Sequence, residues 1–122
     1  MVVAVIGASA NRNKFGNKAV RAHMHRGFDV YPVNLTEKTI EGLATSPSIL
    51  DIPVSVDRAV VYLPPEITFD ILEEIAKKGV KEVYFNPGSS DERVVEKAKE
   101  LGIKPILACS IVAIGESPAS YE

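Results

Sequence analysis

Apolar residues along the chain fall into short continuous runs separated by longer stretches in which only one face is apolar. The runs occupy residues 2–7, 28–33, 59–63, 82–85 and 104–108. Short apolar runs of this kind are what strands covered by helices on both faces require. Between them, Ile67, Ile71, Leu72 and Ile75 share one side of a helix over 67–78. On its other side Glu73 with Lys77 and Glu74 with Lys78 have the i,i+4 spacing of helical ion pairs. Over 89–101 the stripe is Val94, Val95, Ala98 and Leu101, and Ser89 with Glu92 has capping-box spacing. A first helix from about residue 16 to 26 is less apolar, with Ala19, Val20, Ala22 and Met24 scattered round it. Gly27, Gly79 and Gly102 each follow a helical stretch and precede an apolar run, and three such helix-to-strand joins predict repeating βα units on a parallel sheet. Residues 35–56 are the least regular. Ser46-Pro47 can start one or two helical turns there and Pro53 ends them.

These elements predict an α/β chain with a Rossmann-like, doubly wound parallel sheet. With right-handed crossovers and the first strand central, the expected strand order is 3-2-1-4-5. The 122 residues, 46% hydrophobic and 25% charged, suit one domain over residues 1–122 with a single well-filled core. A formal charge of −2 gives no argument for a nucleic-acid or membrane-surface partner. The one cysteine, Cys109, rules out an internal disulfide framework and fits a reducing compartment. The N-terminal apolar run is too short to cross a bilayer and lacks the charged leader of a signal peptide, so a soluble, cytoplasmic protein is expected.

In an open parallel sheet the ligand sits beyond the carboxyl ends of the strands, where strand order reverses. Five segments gather there: Gly7-Ala8-Ser9, Pro32-Val33-Asn34, Leu63-Pro64-Pro65, Asn86-Pro87-Gly88 and Ala108-Cys109-Ser110. They hold no carboxylate and no histidine, which describes a binding rim and not a reactive centre. The first loop, 7–17, is the most informative. Its backbone N–H groups and the following helix N-terminus suit a phosphate, with Arg12 and Lys14 adding positive charge. The plainer alternative is a tight turn that any such fold needs, with Arg12 and Lys14 as solvated charges. The dinucleotide fingerprint G-x-G-x-x-G is absent, because Ser9 and Arg12 stand at its second and third glycines, and Val33-Asn34 replaces the acidic residue that takes NAD ribose hydroxyls. No Walker A loop is present. These absences disfavour a dehydrogenase and a P-loop phosphotransferase without selecting another nucleotide.

A set of ordered segments does narrow the choice. Val5-Ile6-Gly7-Ala8-Ser9, Lys14-Phe15-Gly16-Asn17, Gly27-Phe28-Asp29-Val30-Tyr31-Pro32-Val33-Asn34, Ile40-Glu41-Gly42, Asp51-Ile52-Pro53, Leu63-Pro64-Pro65 and Phe85-Asn86-Pro87-Gly88 together resemble the small CoA-binding protein family. That family is a stand-alone version of the CoA-binding domain of the succinyl-CoA synthetase alpha subunit, and the similarity spans nearly the whole chain. The resemblance implies coenzyme A as ligand. It places the phosphates on the loop from Gly7 through Ala8, Phe15 and Gly16, with Ser9, Arg12 and Lys14 as polar contacts. Asn34 would sit beside the adenosine, Leu63-Pro64-Pro65 would wall the adenine, and Asn86-Pro87-Gly88 would flank the pantetheine arm. It implies no ligase chemistry from this chain alone, and a homodimer is an expectation from the resemblance only.

Two rivals stay open at this stage: an NAD(P)-dependent enzyme or redox-sensing module, with Arg12 at a 2′-phosphate, and an interaction module that has lost its ligand. His23 and His25, two apart on a helix, point to opposite sides and cannot share a metal; they read as surface residues. Lys18, Arg21 and Arg26, with Lys14, read as a solvated face of the first helix. The resemblance also places a cysteine at position 109. A thiol at the binding edge could form a mixed disulfide with CoA, but a small packed residue is the preferred reading.

Overall fold

Every apolar run becomes a strand. The structure, a computed structural model, describes residues 1–122. Five parallel strands form the sheet: β1 (Val2–Ile6), β2 (Asp29–Val33), β5 (Arg58–Val61), β6 (Glu82–Phe85) and β7 (Lys104–Leu107). A separate antiparallel hairpin, β3 (Thr39–Ile40) and β4 (Leu43–Ala44), lies in the irregular stretch, followed by a 3₁₀ turn at Ile49–Asp51. The helices are α1 (Phe15–His25), α2 (Pro65–Lys78), α3 (Glu92–Glu100) and α4 (Ser110–Ala113), and a second 3₁₀ turn, Pro118–Tyr121, ends the chain. No helix is long and apolar enough to cross a membrane.

The strand order differs from expectation. It is β2-β1-β5-β6-β7, so the third strand of the sheet lies on the far side of β1 and not beyond β2. Ile49, Ile52 and Val56, from the connection after β2, pack with Leu72, Ile75 and Val94 on one face of the sheet. Ala19, Val20 and Ala22 of α1 pack with Val3, Val5 and Val60 on the other. A right-handed crossover that leaves β2 on the face opposite α1 must travel back over β1. Two prolines agree with this order. Pro32 and Pro105 lie in β2 and β7, the two edges, where a missing N–H costs no ladder bond.

Several local expectations change with tertiary context. The N-cap of α3 is Asp91, whose carboxylate accepts the Val94 N–H at 3.0 Å; Ser89 turns its hydroxyl to the Asn86 carbonyl instead of forming a capping box. The helical pairs on α2 do not form. Glu73 meets Lys97 of α3 at 3.1 Å, Glu74 accepts from Ser48, and Lys78 reaches the Ile52 carbonyl. His25 is exposed as expected, but His23 is fully buried, its Nδ1–H donating to the Ala19 carbonyl at 2.7 Å and its ring edge-on to Phe28. The basic residues of α1 and of its C-cap are not merely solvated. Arg26 pairs with Glu116 at 2.8 Å, and Arg21 is engaged with the loop and the C-terminal segment.

Candidate functional site

With this order, the sheet reverses between β1 and β5, whose following helices leave to opposite faces. The crevice therefore opens between Gly7 and Leu63, one strand nearer than the order 3-2-1-4-5 implies. Two glycines shape it. Gly7 has φ +85°, and a Cβ there would stand 2.9 Å from the Tyr62 carbonyl group; a Cβ on Gly16 would come within 2.3 Å of the Gly7 oxygen. The first turn of α1 thus rests directly on the end of β1. Gly16 does what the third glycine of a dinucleotide fingerprint does, at the far end of a longer loop.

The loop between them is ordered by its own side chains and two asparagines. Ser9 Oγ accepts the Asn11 N–H at 3.0 Å, and Asn11 Oδ1 accepts the Asn13 N–H at 3.0 Å. Asn34 Nδ2 donates to the Ala8 carbonyl at 2.8 Å, and buried Asn17 donates to the Ser9 carbonyl at 2.9 Å and to Glu41 at 3.1 Å. At the start of α1, the first-turn N–H groups of Phe15 and Gly16 bond to nothing within the chain. Lys14 is the N-cap and supplies no side-chain cap, so those donors stay open to an incoming anion.

Two adjoining clefts occupy the edge. The first, about 630 Å³, has Gly7, Ala8, Ser9, Lys14, Phe15 and Gly16 along one wall. Tyr62, Pro64, Pro87, Gly88 and Ser89 also line it. The second, about 600 Å³, is apolar, walled by Leu35, Ile67 and Ile71, with Ser48 and Glu74 among its lining residues. Gly7, Asn34 and Leu63 line both, so the clefts form one path. Lys14 is the single cation along it.

Of the residues expected from sequence, Arg12, Pro65 and Asn86 line neither cleft. Arg12 is exposed and turns its guanidinium to Glu41 at 3.5 Å. Pro65 opens α2 at its first position. Asn86 is buried and committed to structure, donating to the Val61 carbonyl at 3.0 Å and accepting the Ser110 N–H at 2.8 Å. Cys109 is half-buried, caps α4 and also lines neither cleft. Sequence reasoning missed the apolar cleft. Ile67 and Ile71 look like ordinary core stripe, yet Ile67 is 48% exposed and Leu35 85% exposed, large apolar side chains left open at a ligand edge. The Tyr62 hydroxyl, hydrogen-bonded to Ser110 Oγ at 2.8 Å, is held protonated because burial raises its pKa.

A family model described as a CoA binding domain matches residues 1–115. The chain is 40% identical over 114 residues to an ADP-forming acetate–CoA ligase II of Archaeoglobus fulgidus, covering 84% of this chain and 17% of the ligase. A conserved hypothetical protein from Pyrococcus furiosus superposes with a TM-score of 0.85 at 31% identity, over 91% of this chain and 97% of that one. The dinucleotide-forming acetyl-coenzyme A synthetase 1 of Ca. Korarchaeum cryptofilum, solved with phosphate and ADP, superposes with a TM-score of 0.79 at 29% identity. It is covered over 25% of its length by 88% of this chain, which therefore spans only a fraction of either enzyme.

Proposed function

The chain belongs to the CoA-binding domain family, and on that premise we propose that it holds coenzyme A, or an acyl-CoA, in the paired clefts at the carboxyl edge of its sheet. One observation supports this most: an apolar cleft and a glycine-loop cleft meet at Gly7, Asn34 and Leu63. CoA has the matching order of parts, a flat base, a pyrophosphate and a long thin arm. The adenine fits against Leu35, Ile67 and Ile71, beyond the Leu63 wall. The pyrophosphate fits over the Phe15 and Gly16 N–H groups with Lys14 beside it, where helix partial charge and backbone donors both favour an anion. The pantetheine arm then runs toward Pro87 and Gly88.

We read the chain as a holder of the cofactor and not a catalyst on its own. The ionisable side chains along the path are Lys14, Tyr62 and Glu74. Tyr62 stays protonated against Ser110, and Glu74 takes a hydrogen bond from Ser48, so no pair is poised for nucleophilic or acid–base work. Calorimetric titration with CoA, dephospho-CoA and NADP tests the reading. Saturable binding of CoA with no binding of NADP supports it; preference for NADP would replace it with a dinucleotide-binding module.

A further inference from the structure

We infer that the C-terminal segment from Ile114 to Tyr121 braces the ligand loop, with Arg21 as the positioning residue that joins the two. The inference rests on the assignment of that loop to ligand binding, but the brace itself is a property of the free protein. Arg21 lies nearly two turns into α1 and contacts three segments at once. Its Nε donates to Asn17 Oδ1 at 2.7 Å, and its Nη2 donates to the Arg12 carbonyl at 3.0 Å and the Tyr121 carbonyl at 2.7 Å. Its guanidinium also stands 5.5 Å from the centre of the Tyr121 ring. Asn17 carries the chain of bonds onward to the Ser9 carbonyl and to Glu41. From the tail, the loop is thus reached by two routes, directly at Arg12 and through Asn17 at Ser9.

The tail is held independently at its start. Arg26, the C-cap of α1, pairs with Glu116 at 2.8 Å and donates to the Gly115 carbonyl at 2.8 Å, and the Tyr121 hydroxyl bonds to the same Glu116. Arg26 and Arg21 therefore clasp the start and the end of the segment, and only Arg21 reaches the loop. The match to the family ends at residue 115, so the clasped residues Glu116 to Tyr121 lie beyond it. A hydrogen-bonded network of charged and buried groups transmits position because each member has few alternative partners. Holding a glycine-containing loop in its bound shape before the ligand arrives removes an ordering cost from binding.

The test uses the full chain and reads amide hydrogen exchange in the absence of ligand, then CoA affinity. The reporter amides are Asn11, Asn13 and Lys14, which are hydrogen-bonded inside the loop. Arg26→Ala is the informative variant, because it releases the start of the tail while removing no bond made by the loop or by Arg21. Lys97→Ala, which cuts contacts between α3 and α2, controls for general loosening. The brace predicts faster exchange at the reporter amides in Arg26→Ala and more so in Arg21→Ala, an intermediate value in Arg21→Lys, and no change in Lys97→Ala. CoA affinity in Arg21→Ala and Arg26→Ala is expected to fall about fivefold to tenfold, the lower part of the range for coupled sites. Unchanged reporter exchange in Arg26→Ala while the tail amides exchange faster would overturn the inference. A wild-type protein that binds no CoA would overturn the proposed function instead, and the exchange measurement would still decide the brace.

Discussion

Lys14 and Arg12 are two residues apart in the loop, and the structure separates their roles. Lys14 lines the glycine-loop cleft beside two free N–H groups, whereas Arg12 is outside it and faces Glu41. A hydrogen bond to a charged partner contributes roughly 1.5–3 kcal/mol, while an exposed ion pair contributes about 0–1 kcal/mol. Lys14→Ala should therefore weaken CoA binding about tenfold and Arg12→Ala less than about threefold, as read by titration of each purified variant. The reverse order would mean that Arg12 leaves Glu41 to meet the ligand. Sequence made both cations visible but not their division, because Glu41, a residue 29 positions from Arg12, decides it. Asn86 shows the same limit. Its place after a strand marks it for the rim, yet its partners, Val61 of the neighbouring strand β5 and Ser110 at the start of α4, draw it into the core.

Among elements, the five strands and three longer helices were legible to within a few residues, because apolar runs and one-sided stripes are local signals. Strand order was not, because it depends on which face the 34–57 connection covers, and that connection has no periodic pattern. One local clue existed: Pro32 in the second strand points to an edge, where the order 3-2-1-4-5 makes that strand internal. The hairpin was missed for another reason. Its strands are two residues each, and its turn is Glu41-Gly42 with φ of +50° and +79°, a type I′ shape made with a residue that seldom signals it. The α1–β1 contact, by contrast, is fixed by a single glycine. Gly16→Ala would force its methyl group into the Gly7 carbonyl, and the strain should cost about 3 kcal/mol in urea denaturation and abolish CoA binding. An alanine variant of normal stability would show that the helix can stand off the strand.

For the whole molecule, the buried His23 ties stability to pH. Burial lowers its pKa below 6.5, the Ala19 carbonyl opposes this, and the Arg58 charge adds to the lowering. In the window between the folded value and 6.5 the unfolded chain binds a proton that the folded chain does not. Its contribution is complete above that window and is lost as pH falls through it. The urea midpoint should drop as pH is lowered from about 7.5 to about 5, and His23→Gln should flatten that slope. An identical slope in the variant would assign the pH dependence to other groups. On the same scale, the sheet and both clefts converge on one edge, and the central claim is that this edge holds CoA. Calorimetric titration of the intact protein with CoA tests it most directly. The account predicts saturation at one CoA per chain, with NADP giving no heat under the same conditions. No heat and no thermal shift with CoA at high excess would contradict it and leave the fold without its ligand.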